Sequence, residues 1–243
     1  MIVSFDPTGL PRRPGSNGLL LGRLTLASNG EAWLVDARGA ASYPLAYTLK
    51  VAVTAATLWV AWPVLKSFRG RVTAWAVLTG LVGVGLWIAL SELQAWIIAQ
   101  GYLPEAVTSY FGPGTRVGFN PFQELAGNGA AITWFLVIRF AGFVLLTPVI
   151  EELFLRGFFL RFMADADWWK VPVGQASAVV YASAAVYGIA THPGEALAAA
   201  AWFALITLLA AKTRSFYDCV VAHGVTNLAL AIYILSFARW ELW

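Results

Sequence analysis

The sequence predicts an all-α, polytopic membrane helix bundle of about six transmembrane helices. Three observations lead there. Apolar residues make up 59% of the chain and charged residues 12%, roughly half the charged share of a soluble domain. The mean hydropathy is +0.69, and several apolar runs are long enough to cross a bilayer. Basic residues fall mainly at the ends of those runs, where they set topology and meet anionic headgroups. A net charge of +3 scattered in this way excludes a nucleic-acid surface and implies the lipid bilayer as the partner.

Residues 1–43 read as a polar leader rich in Gly, Pro, Asn and Arg, with Val3-Ser4-Phe5 and Glu31 to Val35 as weak strand-like or interfacial pieces. Leu19-Leu20-Leu21 is broken at once by Gly22 and Arg23, too short for a signal-peptide core, so the first true membrane helix drives insertion. That helix is expected over Pro44–Leu65, opened by a proline where proline is tolerated, with Lys50 free to snorkel. The basic turn Lys66–Arg71 follows, then a second span over Val72–Ile98. Gly80, Gly83 and Gly85 allow close packing on this span, and Glu92 lies toward its far end. Gly101–Gly129 reads as a long interfacial loop, a lid or ledge, which completes a unit over 44–129.

Residues 130–243 form the second unit. Ala130–Met163 is helical in character throughout, about 50 Å against about 30 Å of hydrocarbon, so it tilts, kinks at Pro148 or leaves the membrane. Asp165, Asp167, Trp168, Trp169 and Lys170 mark an interfacial turn. Further spans are expected over Val173–Ala190, Glu195–Ala211 and Phe216–Phe237. With alternating helices, the basic turns at 66–71, 156–170 and 212–214 share one side, cytoplasmic by the positive-inside rule. The arginine-bearing N-terminus then lies on the other side. Cys219 is the sole cysteine, which excludes an intrachain disulfide and a cysteine-based metal site; it reads as a small buried side chain.

One stretch resists this description. Thr147 to Gly157 places Glu151, Glu152 and Arg156 within six positions of an apolar run, although charge at membrane depth costs about 2.5–3.5 kcal/mol per residue. Adjacent residues on a helix point about 100° apart, so the two glutamates are not expected to face the same partner. Arg156 lies four residues beyond Glu152, the spacing of a helical ion pair, which leaves Glu151 for a polar cavity. A partly desolvated carboxylate takes up a proton more readily than one in water, as a general base must. Helix–helix polar glue explains the same residues without chemistry.

The two histidines decide between these readings. His192 ends a span just before Pro193, and His223 lies inside the last span with Asn227 four residues on, on the same face. A shared site with Glu151 fits this set better than separate structural roles do.

Together Glu151–Arg156, His192 and His223–Asn227 resemble the CAAX-processing and bacteriocin-processing family of glutamic intramembrane proteases. Pro148 to Phe154, Ala222 to Leu228 and the terminal Trp240-Glu241-Leu242-Trp243 resemble its exosortase-associated branch. The likeness runs over residues 44–243 and implies a catalytic core in the C-terminal four helices. It further implies metal-free hydrolysis of a peptide bond in a membrane-anchored protein, with no covalent intermediate. On matching positions, Glu151 helped by His192 activates water, His223 and Asn227 hold the oxyanion, and Glu152 with Arg156 supports the site. The branch implies a bacterial plasma membrane and a partner in C-terminal protein sorting. One position departs from the pattern. The family's phenylalanine four residues before the middle histidine is Gly188 here; Tyr187 fills the same volume if the helix bulges, and otherwise the register around His192 differs.

Two other classes fit the same residues. One is a zinc protease, since a Glu and two His can hold the metal, although there is no His-Glu-x-x-His helix and Asn227 is a poor ligand. The other is a non-catalytic membrane protein: a self-immunity protein, a transporter whose pathway the charges mark, or a scaffold for a sorting partner.

Overall fold

A computed structural model describes residues 42–68, 70–112 and 118–243. The strand-like pieces expected in the leader lie outside the described residues. The described chain is helical, with no strand: α1 Tyr43–Leu65, α2 Ala74–Ala99, α3 Glu105–Phe111, α4 Pro121–Glu124, α5 Gly129–Ala164, α6 Ala178–Thr191, α7 Ala196–Thr213 and α8 Phe216–Phe237. Short 3-10 turns cover Trp168–Lys170, Pro193–Glu195 and Trp240–Leu242. The ledge expected as a loop over 101–129 thus carries two short helices of its own.

Among the described residues, five helices are long and apolar enough to cross a membrane: α1, α2, α5, α7 with the turn before it, and α8. The protein is an integral membrane helical bundle. The remaining span is shorter than expected. Ser177 caps α6, its hydroxyl accepting from Val180 N at 3.3 Å, so the helix starts at Ala178 rather than Val173. Its 14 residues rise about 21 Å, well short of the hydrocarbon thickness.

The bundle closes around α2, which packs along both α7 and α8. A Cβ on Gly80 would lie 2.7 Å from Ala222 O, and one on Gly83 2.9 Å from Thr226 Oγ1 and Trp202 Nε1, so only glycine permits this approach. Thr226 Oγ1 bonds Gly80 O and Ala222 O, both at 3.0 Å, and accepts from Trp202 Nε1 at 3.2 Å. Gly85 does not take the packing role expected of it, since nothing lies within 4 Å of its Cβ position. It falls on the open face of the helix.

The basic turns do share one end. Tyr217 Oη donates to Leu65 O at 2.9 Å, Phe68 stacks on Phe216, and Lys212 Nζ sits 3.2 Å over the Trp75 ring. Asp218, fully buried, accepts from Thr73 N at 2.7 Å and from its hydroxyl at 3.0 Å, which places one carboxylate on the N-termini of both α2 and α8. At the other end Arg239 bonds Glu92 and Glu241, and these two carboxylates hold its guanidinium above the ordinary arginine range. Cys219 is buried, as its setting predicts.

Candidate active site

The site is built on a helix that changes winding twice. Within α5, Ala141–Leu146 and Leu155–Phe159 are π-helical, flanking the α-helical stretch Thr147–Phe154 that carries both glutamates. Thr147 N bonds Gly142 O, five residues back. The next bond in that series would run from Pro148 to Phe143 O, and proline has no N–H to give. Asn227 Nδ2 supplies the missing donor from α8, at 2.8 Å from Phe143 O. Pro148 thus acts through a freed carbonyl. The π stretches let this helix re-aim the residues between them.

Glu151, Glu152 and Arg156 are all buried, Glu152 at 0% exposure. Arg156 Nη1 lies between the oxygens of Glu152, at 3.1 Å from Oε1 and 2.9 Å from Oε2, so the expected pair is present. Its Nη2 reaches Phe203 O at 3.3 Å and Thr207 Oγ1 at 3.4 Å on α7. The pair therefore bolts α5 to α7.

The two glutamates do meet one partner, contrary to the expectation from helix geometry. His223 Nδ1 lies 3.1 Å from Glu152 Oε1, and His223 Nε2 lies 3.9 Å from Glu151 Oε2. The divergence of adjacent side chains still holds. An imidazole has two nitrogens on different edges, and with a proton on both each edge can serve one carboxylate. Glu152, already paired with Arg156, accepts from Nδ1–H of His223; this directs Nε2 toward Glu151.

Asn227 faces the same side as His223. One of its two amide N–H groups goes to Phe143 O, and the second remains as a donor. His192 joins through aromatic rings. Trp87 stands edge-on to His192 at 5.4 Å, and Phe203 is 6.0 Å from it. Trp202 lies 6.3 Å from Trp87, 4.9 Å from Phe203 and 4.6 Å from His223, so a shelf of three rings links the two histidines.

The missing phenylalanine also has its explanation. α6 is regular α-helix at this point, with His192 N bonded to Gly188 O at 2.9 Å, so no bulge brings Tyr187 round. A Cβ on Gly188 would lie 2.6 Å from Phe203 Cδ2. The ring of Phe203, from the neighbouring helix, occupies that space. Tyr187 packs instead against Phe154, Phe159 and Phe203.

Two buried polar residues near the site escaped sequence reasoning. Gln94 Nε2 donates to Phe111 O at 2.8 Å, Gly194 O at 2.9 Å and Pro193 O at 3.2 Å, while its Oε1 accepts from Leu197 N at 2.9 Å. It clamps the turn that follows His192. Nothing local marks it, because a glutamine near a helix end is ordinary. Arg139, 2% exposed, donates to Tyr43 Oη at 3.1 Å, with Tyr47 and Trp243 at 4.5 and 5.2 Å from its guanidinium. Its signal was legible: a lone arginine in an apolar helix demands a partner.

Among the described residues no three His, Cys, Asp or Glu side chains are grouped to hold a metal ion. Residues 133–229 match a family model described as Rce1-like, type II CAAX prenyl endopeptidase Rce1-like. That segment runs from α5 into α8 and contains Glu151, His192, His223 and Asn227. No curated protein and no solved structure matches the chain.

Proposed function

We propose that this membrane protein, whose residues 133–229 match the Rce1-like family model, is a glutamic-type intramembrane endopeptidase acting on a membrane-anchored protein. The observation that carries the reading is the coupling of two buried glutamates on one helix to the two nitrogens of His223. Polar glue needs one buried ion pair, and Glu152 with Arg156 already is one. Glu151 is a second buried carboxylate in an apolar helix, 3.9 Å from a histidine that the first orients.

In the proposed reaction Glu151, helped by His192, takes a proton from water, whose oxygen bonds to the scissile carbonyl carbon. The carbonyl oxygen becomes an oxyanion held by the second N–H of Asn227 and by His223, which donates through Nε2–H in its doubly protonated form because its Nδ1–H is given to Glu152. Such donors contribute about 2.7–4 kcal/mol each. The C–N bond then breaks, and the proton taken from water goes to the departing amine nitrogen. No covalent enzyme intermediate forms and no metal enters. An apolar groove of about 620 Å³ between α1, α5 and α8, lined by Trp59, Val144, Pro148 and Val225, lies beside the Asn227–Phe143 bond and suits lateral approach of an apolar chain. The exosortase-like sequence features support a bacterial plasma-membrane setting and a substrate of C-terminal protein sorting.

The test compares the termini of membrane proteins in cells carrying the wild-type chain or Glu151→Gln. Loss of a general base lowers turnover by about 10²–10⁴-fold, so processed termini present with the wild type should vanish in the variant. Unchanged processing with Glu151→Gln would leave the non-catalytic reading.

A further inference from the structure

Thr191 stands immediately before His192, and its hydroxyl makes three contacts: Tyr187 O at 2.9 Å, Gly188 O at 3.3 Å and His192 Nδ1 at 2.8 Å. A hydroxyl has one proton and two acceptor lone pairs, and a carbonyl oxygen can only accept. An oxygen–oxygen approach of 2.9 Å is repulsive without a proton between the atoms, whereas the Nδ1 contact is satisfied by a hydrogen on either side. The single proton of Thr191 therefore points back to the Tyr187 carbonyl, as it commonly does for threonine in a helix. Toward His192 the hydroxyl offers a lone pair, so Nδ1 must bring the hydrogen.

From this geometry we infer that Thr191 is a positioning residue that fixes the tautomer of His192, with the proton on Nδ1 and the lone pair on Nε2. The inference rests on the proposed hydrolysis for its use: a histidine that assists Glu151 needs a ring nitrogen able to take a proton, and this tautomer provides Nε2. The ring nitrogen that carries the proton is set by the partner of the other one. The arrangement parallels His223, where Glu152 accepts from Nδ1. One side is served by a carboxylate, the other by a hydroxyl whose own proton is already committed.

The surroundings keep the contact in place. Thr191 is the last residue of α6, so its backbone is helical while His192 has left the helix with φ −135°. The Gln94 clamp on Pro193, Gly194 and Leu197 fixes the turn beyond it. Trp87 meets the ring edge-on at 5.4 Å.

Nitrogen NMR of the full chain labelled with ¹⁵N-histidine tests this directly, because the chain has only two histidines. His192→Gln assigns the signals. At neutral pH the His192 pair should show a protonated Nδ1 and an unprotonated Nε2 in the wild type and in Thr191→Ser. In Thr191→Val the pattern should shift toward protonated Nε2, with the His223 signals unchanged as the check that the bundle is intact. In a cleavage assay Thr191→Val should lower kcat about tenfold with KM unchanged, the scale of one lost hydrogen bond, and Thr191→Ser should restore it. A wild-type His192 protonated on Nε2 overturns the inference even if Thr191→Val fails to fold, as does a tautomer that Thr191→Val leaves unchanged. The outcomes separate: the tautomer is read without substrate, whereas the protease reading falls only if Glu151→Gln still supports processing.

Discussion

Replacing Arg156 with methionine tests whether the glutamate helix is held by a buried ion pair. Methionine keeps most of the volume and removes the charge. It also removes Nη1, which sits at 3.1 and 2.9 Å from the oxygens of Glu152, and Nη2, at 3.3 and 3.4 Å from Phe203 O and Thr207 Oγ1. The two Nη2 bonds are long and contribute about 0.5–1 kcal/mol each. The larger effect is on Glu152, left ionised at 0% exposure with His223 as its remaining contact. Breaking a buried pair from one side costs about 3–5 kcal/mol. Against a total stability of about 5–15 kcal/mol, this is a large loss. Reversible unfolding of the full chain in mixed micelles, followed by circular dichroism, should show it. Glu152→Gln in the same background removes the stranded charge, so the double variant should recover about 2–3 kcal/mol relative to the sum of the singles. A loss below about 1 kcal/mol for Arg156→Met, or strict additivity in the double variant, would refute the ion-pair account and leave Arg156 to packing alone.

Two further outcomes follow from the same geometry. Gly80→Ala forces a methyl to within 2.7 Å of Ala222 O and should destabilise by about 1–3 kcal/mol; Gly85→Ala meets open space and should be neutral or stabilise by up to about 1 kcal/mol, measured in the same unfolding assay. If metal-free chemistry is right, processing should persist after dialysis against EDTA and after 1,10-phenanthroline. Loss on chelation that returns with added zinc would favour the zinc protease.

Much of this arrangement was legible because charge in an apolar run is costly and so carries information. Glu151, Glu152, Arg156, His223 and Asn227 announce themselves in that way, and the i, i+4 spacing alone gave the Glu152–Arg156 pair. The sharing of His223 was hidden, because a helical wheel describes where side chains leave the backbone and not what a two-edged ring on another helix can span. The length of α6 was hidden for a different reason. Residues 173–177 are compatible with a helix, but the Ser177 cap and the turn before it begin the helix later. Gly188 illustrates a third limit: a gap in one helix is filled by Phe203 from the next, and only tertiary packing reveals the substitution.

The part of the site furthest from its own motifs is α2. It lies outside the family match, which begins in α5, yet one face of it reaches His192 directly and His223 and Asn227 through one intervening residue. Gly80 and Gly83 admit Thr226, the residue before Asn227. Trp87 faces His192 and meets Trp202, which in turn lies against His223. Gln94 holds the turn after His192. These positions recur at three, four and seven residues, a single helical stripe. In the proposed reaction the motifs of α5, α6 and α8 supply the reacting atoms, and this stripe packs against the residues that hold them. The geometry of the proposed site therefore depends on how closely α2 approaches, which is set by two glycines that carry no chemistry themselves.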